Sequence, residues 1–151
     1  MLQFGVEPTA PTPQSQTQDL REIPWCPMLV LCQSLTIPPH ADGVSCKGMV
    51  YKLAVPQFPY VINNLIVVAD FMHGRGVWAV AFRLLNPGGE TIWNVPLPLT
   101  FGDSPMEVAQ LYTQIRGATV EADGIYELQV VLGGRIIQRR SIRILIRTTK
   151  P

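Results

Sequence analysis

Apolar and polar residues alternate along most of this chain with period two, the repeat of an extended strand whose successive side chains face opposite ways. The pattern is clearest from Val77 to Leu85, where Trp78, Val80, Phe82 and Leu84 share one face and Ala79, Ala81 and Arg83 the other. It returns from Gly124 to Leu132, with Tyr126, Leu128, Val130 and Leu132 on one side. Gly133-Gly134 then forms a two-residue hairpin turn, since both positions tolerate positive φ. Arg135 to Arg147 runs back, its end alternating Ile142, Ile144 and Ile146 with Arg143, Leu145 and Arg147.

Earlier segments read the same way. Met28 to Leu35 is an apolar strand bounded by Pro27 and by Pro38-Pro39, and Ser45 to Val55 is a second, after the loop at Asp42-Gly43. Pro56 and Pro59 make Gln57 to Tyr60 a bend or edge segment. Asn64 to Phe71 is β-branched and almost continuously apolar, and Gly74 and Gly76 mark a turn around Arg75. Asn86-Pro87-Gly88-Gly89 is a strong turn signal. Glu90 to Thr100 alternates again, but Pro96 and Pro98 assign it to a sheet edge. Ser104-Pro105-Met106-Glu107 matches a capping box with proline at the first helical position. It opens a short helix through Tyr112 or leads into a strand near Leu111 to Ile115. A helical turn followed by a strand is the expectation.

About eight short strands at regular spacing predict a sandwich or barrel. The expected fold is an all-β, immunoglobulin-like antiparallel β-sandwich of about 7–9 strands with at most a short helical turn. Asp123-Gly124-Ile125-Tyr126 matches the corner of such domains, where a tyrosine hydroxyl bonds back to upstream backbone, and Trp78 is the candidate core tryptophan. Leu128 stands two residues after Tyr126 where antibody domains carry cysteine, so no disulfide of that type is expected. The expected core is Trp78, Phe82, Tyr126, Leu128, Ile142 and Ile144.

The first 22 residues differ. Leu2, Phe4 and Val6 alternate with Gln3 and Gly5, and Glu7 to Asp19 holds Pro8, Pro11 and Pro13 among Thr, Ser and Gln, the composition of an extended, solvated linker. The chain therefore divides into an arm and linker, 1–22, and a sandwich domain, 23–151. An apolar stripe on a tether invites docking. Leu2, Phe4 and Val6 are the candidate interaction residues, adding as a strand to a neighbouring subunit or partner.

Composition narrows the function classes. The 151 residues carry 12 basic and 11 acidic side chains, a net charge of +1, so nothing drives the chain toward phosphate backbones or anionic membranes. Only 15% of residues are charged, against an ordinary level of about 25%. Part of so apolar a surface is expected to meet a protein partner or a second copy. No apolar run approaches the length of a bilayer span, and Met1 to Ser15 has neither the basic start nor the apolar core of a signal peptide. Three irregularly spaced cysteines, Cys26, Cys32 and Cys46, do not form a disulfide framework. A cytoplasmic protein with reduced thiols is expected.

No chemical constellation emerges. His40 and His73 fit no metal-ligand spacing with the cysteines, and no cofactor is expected. Gly74-Arg75-Gly76 and Gly88-Gly89 precede no helix, so neither is a phosphate loop. Arg135, Arg139, Arg140, Arg143, Arg147 and Lys150 cluster near the C-terminus without interleaved aromatics, the pattern of a solvated sheet face rather than a nucleic-acid platform. Alternation places Arg139, Arg143 and Arg147 on one face with Ile137 and Leu145. Asp70, inside an apolar run, is the exceptional carboxylate. The leading expectation is a non-enzymatic interaction or structural module, and the alternative is a small-ligand site or hydrolase using Cys46, His73 and Asp70.

From Met28 to Ile146 the chain resembles the family DUF6941. The resemblance rests on Leu31-Cys32, Phe58-Pro59, the run His73-Gly74-Arg75-Gly76-Val77-Trp78, Leu85-Asn86-Pro87-Gly88-Gly89, and Asp123-Gly124-Ile125-Tyr126 before Gly133-Gly134. The Pro-rich arm and the turn at Ser104 to Glu107 depart from it. The resemblance implies a compact sandwich in a bacterial cytoplasm, no established activity, and no catalytic residues.

Overall fold

A computed structural model describes residues 22–40, 43–104 and 106–148. The alternating segments form eleven strands there: β1 (Trp25–Thr36), β2 (Ser45–Met49), β3 (Lys52–Val55), β4 (Tyr60–Ile62), β5 (Leu65–Met72), β6 (Val77–Leu85), β7 (Thr91–Thr100), β8 (Ala109–Ile115), β9 (Ala118–Val120), β10 (Gly124–Leu132) and β11 (Arg135–Ile146). One sheet has the order β2-β1-β5-β8, the other β3-β11-β10-β6-β7, and β4 pairs with β9 in a small ladder.

The period-two pattern decides what lies between the sheets. Leu29 and Leu31 of β1 and Val67, Ala69 and Phe71 of β5 join Trp78, Phe82, Leu84, Tyr126, Leu128, Ile142 and Ile144 from the five-stranded sheet in one core. All six residues expected in the core are buried, Trp78 at 5% and Tyr126 at 1% exposure. Each such side chain contributes about 1.5–3 kcal/mol of transfer free energy. The Trp78 indole N–H donates to the Arg75 carbonyl at 3.0 Å, so its one polar atom is satisfied within the fold. The Tyr126 hydroxyl donates to the Ala122 carbonyl at 2.7 Å, the bond expected of the corner before β10.

Three expectations are corrected. None of the described residues is helical. Ser104 does nucleate a turn: its carbonyl accepts from Glu107 N–H at 3.1 Å and its hydroxyl from Met106 N–H at 3.3 Å. The turn does not propagate, because Ala109 to Ile115 completes a seven-residue ladder with β5, and one helical turn is unstable alone. The stretch Ser45 to Val55 is two strands rather than one. Val50 N–H bonds to Leu31 of the four-stranded sheet, while the next residue, Tyr51, accepts from Arg143 N–H of the five-stranded sheet. The chain thus changes sheets between Val50 and Tyr51. Because of that crossing β3 lies parallel to β11, so the sandwich is not wholly antiparallel.

Candidate interaction surface

Leu2, Phe4 and Val6 lie outside the described residues. What the structure does define is the set of sheet edges that could receive such a segment. β7 ends the five-stranded sheet, as its prolines indicate. Phe101 N–H donates to the Gly76 carbonyl, which sets the phase of the ladder. Odd-numbered residues of β7 turn their backbone groups toward β6, and even-numbered ones face outward. Pro96 and Pro98 therefore remove two of the donors an added strand would need. At the other end of that sheet β3 offers only four residues.

The four-stranded sheet differs. At one end β2 is five residues long and interrupted at Gly48, whose φ is +72° and over which the Gln33 side chain lies. At the other end β8 offers seven residues with neither proline nor glycine. Next to that edge Val108 is 51% exposed and Tyr112 43%. Half the backbone groups of such a strand face away from its neighbour and are open to pairing. Trp25 pairs with Met72, and Phe71 pairs with Ala109. The chain therefore enters the sheet at the end where β8 begins, two strand spacings or roughly 10 Å away.

Part of the outer face of the four-stranded sheet is covered by its own chain. Val30, Cys32 and Val68 form a second buried cluster there, against which Met28, Leu35, Val44, Cys46 and Ile66 pack. Leu35 and Cys46 are cross-strand partners in the β1–β2 hairpin. Gly43, near its tip, stands close to the Gln110 side chain of β8. Beyond Cys32 the hairpin therefore leans back across the face of the sheet.

The alternative Cys46, His73 and Asp70 site finds each residue engaged separately. Asp70 accepts a hydrogen bond from the Gln110 amide. His73, at φ +63°, places its ring edge-on to Trp25 with centroids 4.8 Å apart. Cys46 packs in the hairpin. Among the described residues no three His, Cys, Asp or Glu side chains are placed to hold a metal ion.

Three of the C-terminal arginines, Arg139, Arg140 and Arg143, also have partners. Arg143 pairs with Asp123 at 2.9 Å, and Arg139 lies 3.9 Å from Glu127. Glu127 also receives the Gln129 amide, whose oxygen accepts from Arg83 at 3.0 Å. Ile137 does not lie with Arg139 on the open face. A bulge pairs Val130 with Gln138 and Val131 with Ile136, so Ile137 is the extra residue and packs against the core. Gln138 and Arg140 face inward and tie the sheets together. Gln138 donates to the Cys26 carbonyl at 2.8 Å, and Arg140 donates to the Leu29 carbonyl at 3.0 Å while lying over the Tyr51 ring.

Burial raises two thiols. Cys26 is pushed up to about 12, chiefly by desolvation, against the opposing effect of its hydrogen bond to Met28. Cys32 is pushed up to about 11 by desolvation and then by the neighbouring Cys46.

A family model described as a family of unknown function, DUF6941, matches residues 27–145. No curated protein matches the sequence. Among solved structures, the Pseudomonas fluorescens alkylpurine DNA glycosylase AlkC bound to DNA containing an abasic site analog is similar over 78% of this chain, at 9% identity and a TM-score of 0.40. The match spans 30% of the glycosylase chain, and a likeness so loose carries no inference about function. Among the described residues no helix is long and apolar enough to cross a membrane.

Proposed function

The chain belongs to DUF6941, a family of unknown function, and we propose that it is a non-enzymatic interaction module built on a cytoplasmic, bacterial, immunoglobulin-like sandwich. Its docking edge is β8, and its ligand is the Leu2, Phe4 and Val6 segment of a neighbouring copy. The observation that carries this reading is the contrast between the edges. β7 is blocked by Pro96 and Pro98, while β8 presents seven unblocked residues beside exposed Val108 and Tyr112. Backbone hydrogen bonds supply affinity in strand addition, and alternate side chains supply specificity. The linker Glu7 to Asp19 reaches up to roughly 45 Å when extended, enough for docking in trans. Neither nucleic acid nor membrane is part of this reading, since the net charge is only +1 and Arg139, Arg140 and Arg143 are engaged within the fold. A hydrolase or small-ligand site would need Cys46, His73 and Asp70 to converge, and their separate partners lend it no support.

Sedimentation of the full chain and of Phe4→Asp tests the proposal. The unmodified chain is expected to self-associate and the variant to be monomeric, with faster amide exchange along Gln110 to Gln114 in the variant. Two monomers with identical exchange along β8 would end the proposal.

A further inference from the structure

The outer face of the five-stranded sheet changes character along its strands. Ala79 and Ala81 of β6 project outward beside Pro98 and Pro96 of β7, and across β10 the apolar surface continues through Val131 and Ile136. Small side chains next to prolines leave a shallow trough of about 340 Å³ at Ala79, Pro96 and Pro98, all three exposed. Arg83 stands on the same face beyond Ala81, roughly 7 Å along the strand. Its guanidinium donates to the neutral Gln129 amide oxygen at 3.0 Å, and its Nε is buried without a partner. The ion pairs of this face belong to other arginines, Arg139 with Glu127 and Arg143 with Asp123. With Lys52 beside Arg143, four cations meet two carboxylates there, an excess of two positive charges in a chain whose net charge is +1.

These features select an occupant. The trough is too open to enclose a small molecule, whose sites ordinarily bury most of its surface, so the ligand belongs to a larger body. A second copy docked through the same face would bring like charge against like, which disfavours association. A half-buried guanidinium without a counter-charge is costly, and a carboxylate is the group that satisfies it best. We propose that this trough is a second interaction surface, for an extended segment of another protein that carries apolar side chains at alternate positions followed by a carboxylate. Such a segment repeats its side chains at the spacing of β6. Two apolar groups therefore cover Ala79 and Ala81 while the carboxylate reaches Arg83. The surface lies on the sheet that does not contain β8, and it does not depend on the arm.

The probe is the acetylated peptide Leu-Thr-Leu-Thr-Glu, titrated to millimolar concentration into the full isotope-labelled chain and followed by amide chemical shifts. Saturable shifts are expected at Ala79, Ala81, Arg83 and Val131, weakening as salt is raised, and the counterpart ending in lysine is expected to bind more weakly. Arg83→Gln should weaken the glutamate peptide about tenfold, the loss of one hydrogen bond between charged groups. Ala79→Lys should abolish binding, and because Ala79 is exposed this variant decides the question if Arg83→Gln does not fold. Absence of saturable shifts, equal affinity for the two peptides, or undiminished binding to folded Ala79→Lys would overturn the proposal. Shifts confined to Gln110 to Gln114 would place the probe on β8 and overturn it too. Self-association of Phe4→Asp that disappears when Ala79→Lys is added would give the trough to a second copy, with the same consequence.

Discussion

Tyr126→Phe isolates the bond that pins the corner before β10. The ring is 1% exposed and packs in the main core, and phenylalanine fills the same space without leaving a cavity. What disappears is one hydrogen bond, from the hydroxyl to the Ala122 carbonyl at 2.7 Å. Ala122 is exposed, so water replaces the lost donor and the carbonyl is not left bare. The cost therefore belongs to the net range of an ordinary hydrogen bond, about 1 kcal/mol, rather than to the larger penalty of an orphaned buried group. In a domain of this size that lowers Tm by about 2–4 °C. Tyr126→Ala adds the cavity and is expected to cost about 3–5 kcal/mol. Urea titration followed by tryptophan fluorescence measures both variants, and an unchanged denaturant slope confirms that the same two states are compared. A Phe variant as stable as the parent would show that the hydroxyl does not pin the corner. A loss as large as that of Tyr126→Ala would show that its removal disturbs the packing.

Gly74→Ala is expected to cost about 1–3 kcal/mol by overpacking, since an added Cβ would stand 2.1 Å from the buried Phe101 ring. Adding Phe101→Leu should make the combined loss smaller than the sum of the two single losses in calorimetry, the mark of a shared contact. Stability is also expected to fall as pH rises from about 9 toward 12. The folded pKa of Cys26 is raised to about 12, so the unfolded chain sheds that proton first and the stabilisation present below pH 9 is lost. Cys26→Ala should flatten this alkaline decline in urea midpoints measured at successive pH values, and an equal slope in both proteins would contradict it.

Alternation alone disclosed most of the strands, because burial on one face of a sheet imposes period two whatever the strand pairs with. Val77 to Leu85 and Gly124 to Leu132 fold with the bounds read from sequence. The errors fall where a distant partner overrides a local signal. The Ser104 hydroxyl caps Met106 N–H and the turn closes on Glu107 N–H, yet β5 converts the residues beyond into β8. Ser45 to Val55 reads as one strand because nothing in its pattern marks the residue at which its hydrogen bonds pass from Leu31 to Arg143. The blocked edge at β7 was legible because proline's missing N–H is a local property. The packing of Leu35 and Cys46 against the Val30, Cys32 and Val68 cluster was not, since it depends on a hairpin folding back over the sheet that carries it.

The arginines of β11 show how an available signal goes unread. Gln138 and Arg140 share the parity of Ile142 and Ile144, so alternation alone turns them inward. A charged residue at an inward position argues against burial on transfer cost, and composition then favours a solvated face. Three local features reverse that balance. The guanidinium meets the Leu29 carbonyl and the Tyr51 ring, the Gln138 amide meets the Cys26 carbonyl, and the bulge at Ile137 supplies the core with the apolar side chain that Arg140 cannot. The two sheets are thus joined along β1 and β11 by polar side chains that reach backbone carbonyls of the opposite sheet. Parity was the better guide there than hydrophobicity, because it reports where the backbone points a side chain before asking whether the side chain is apolar.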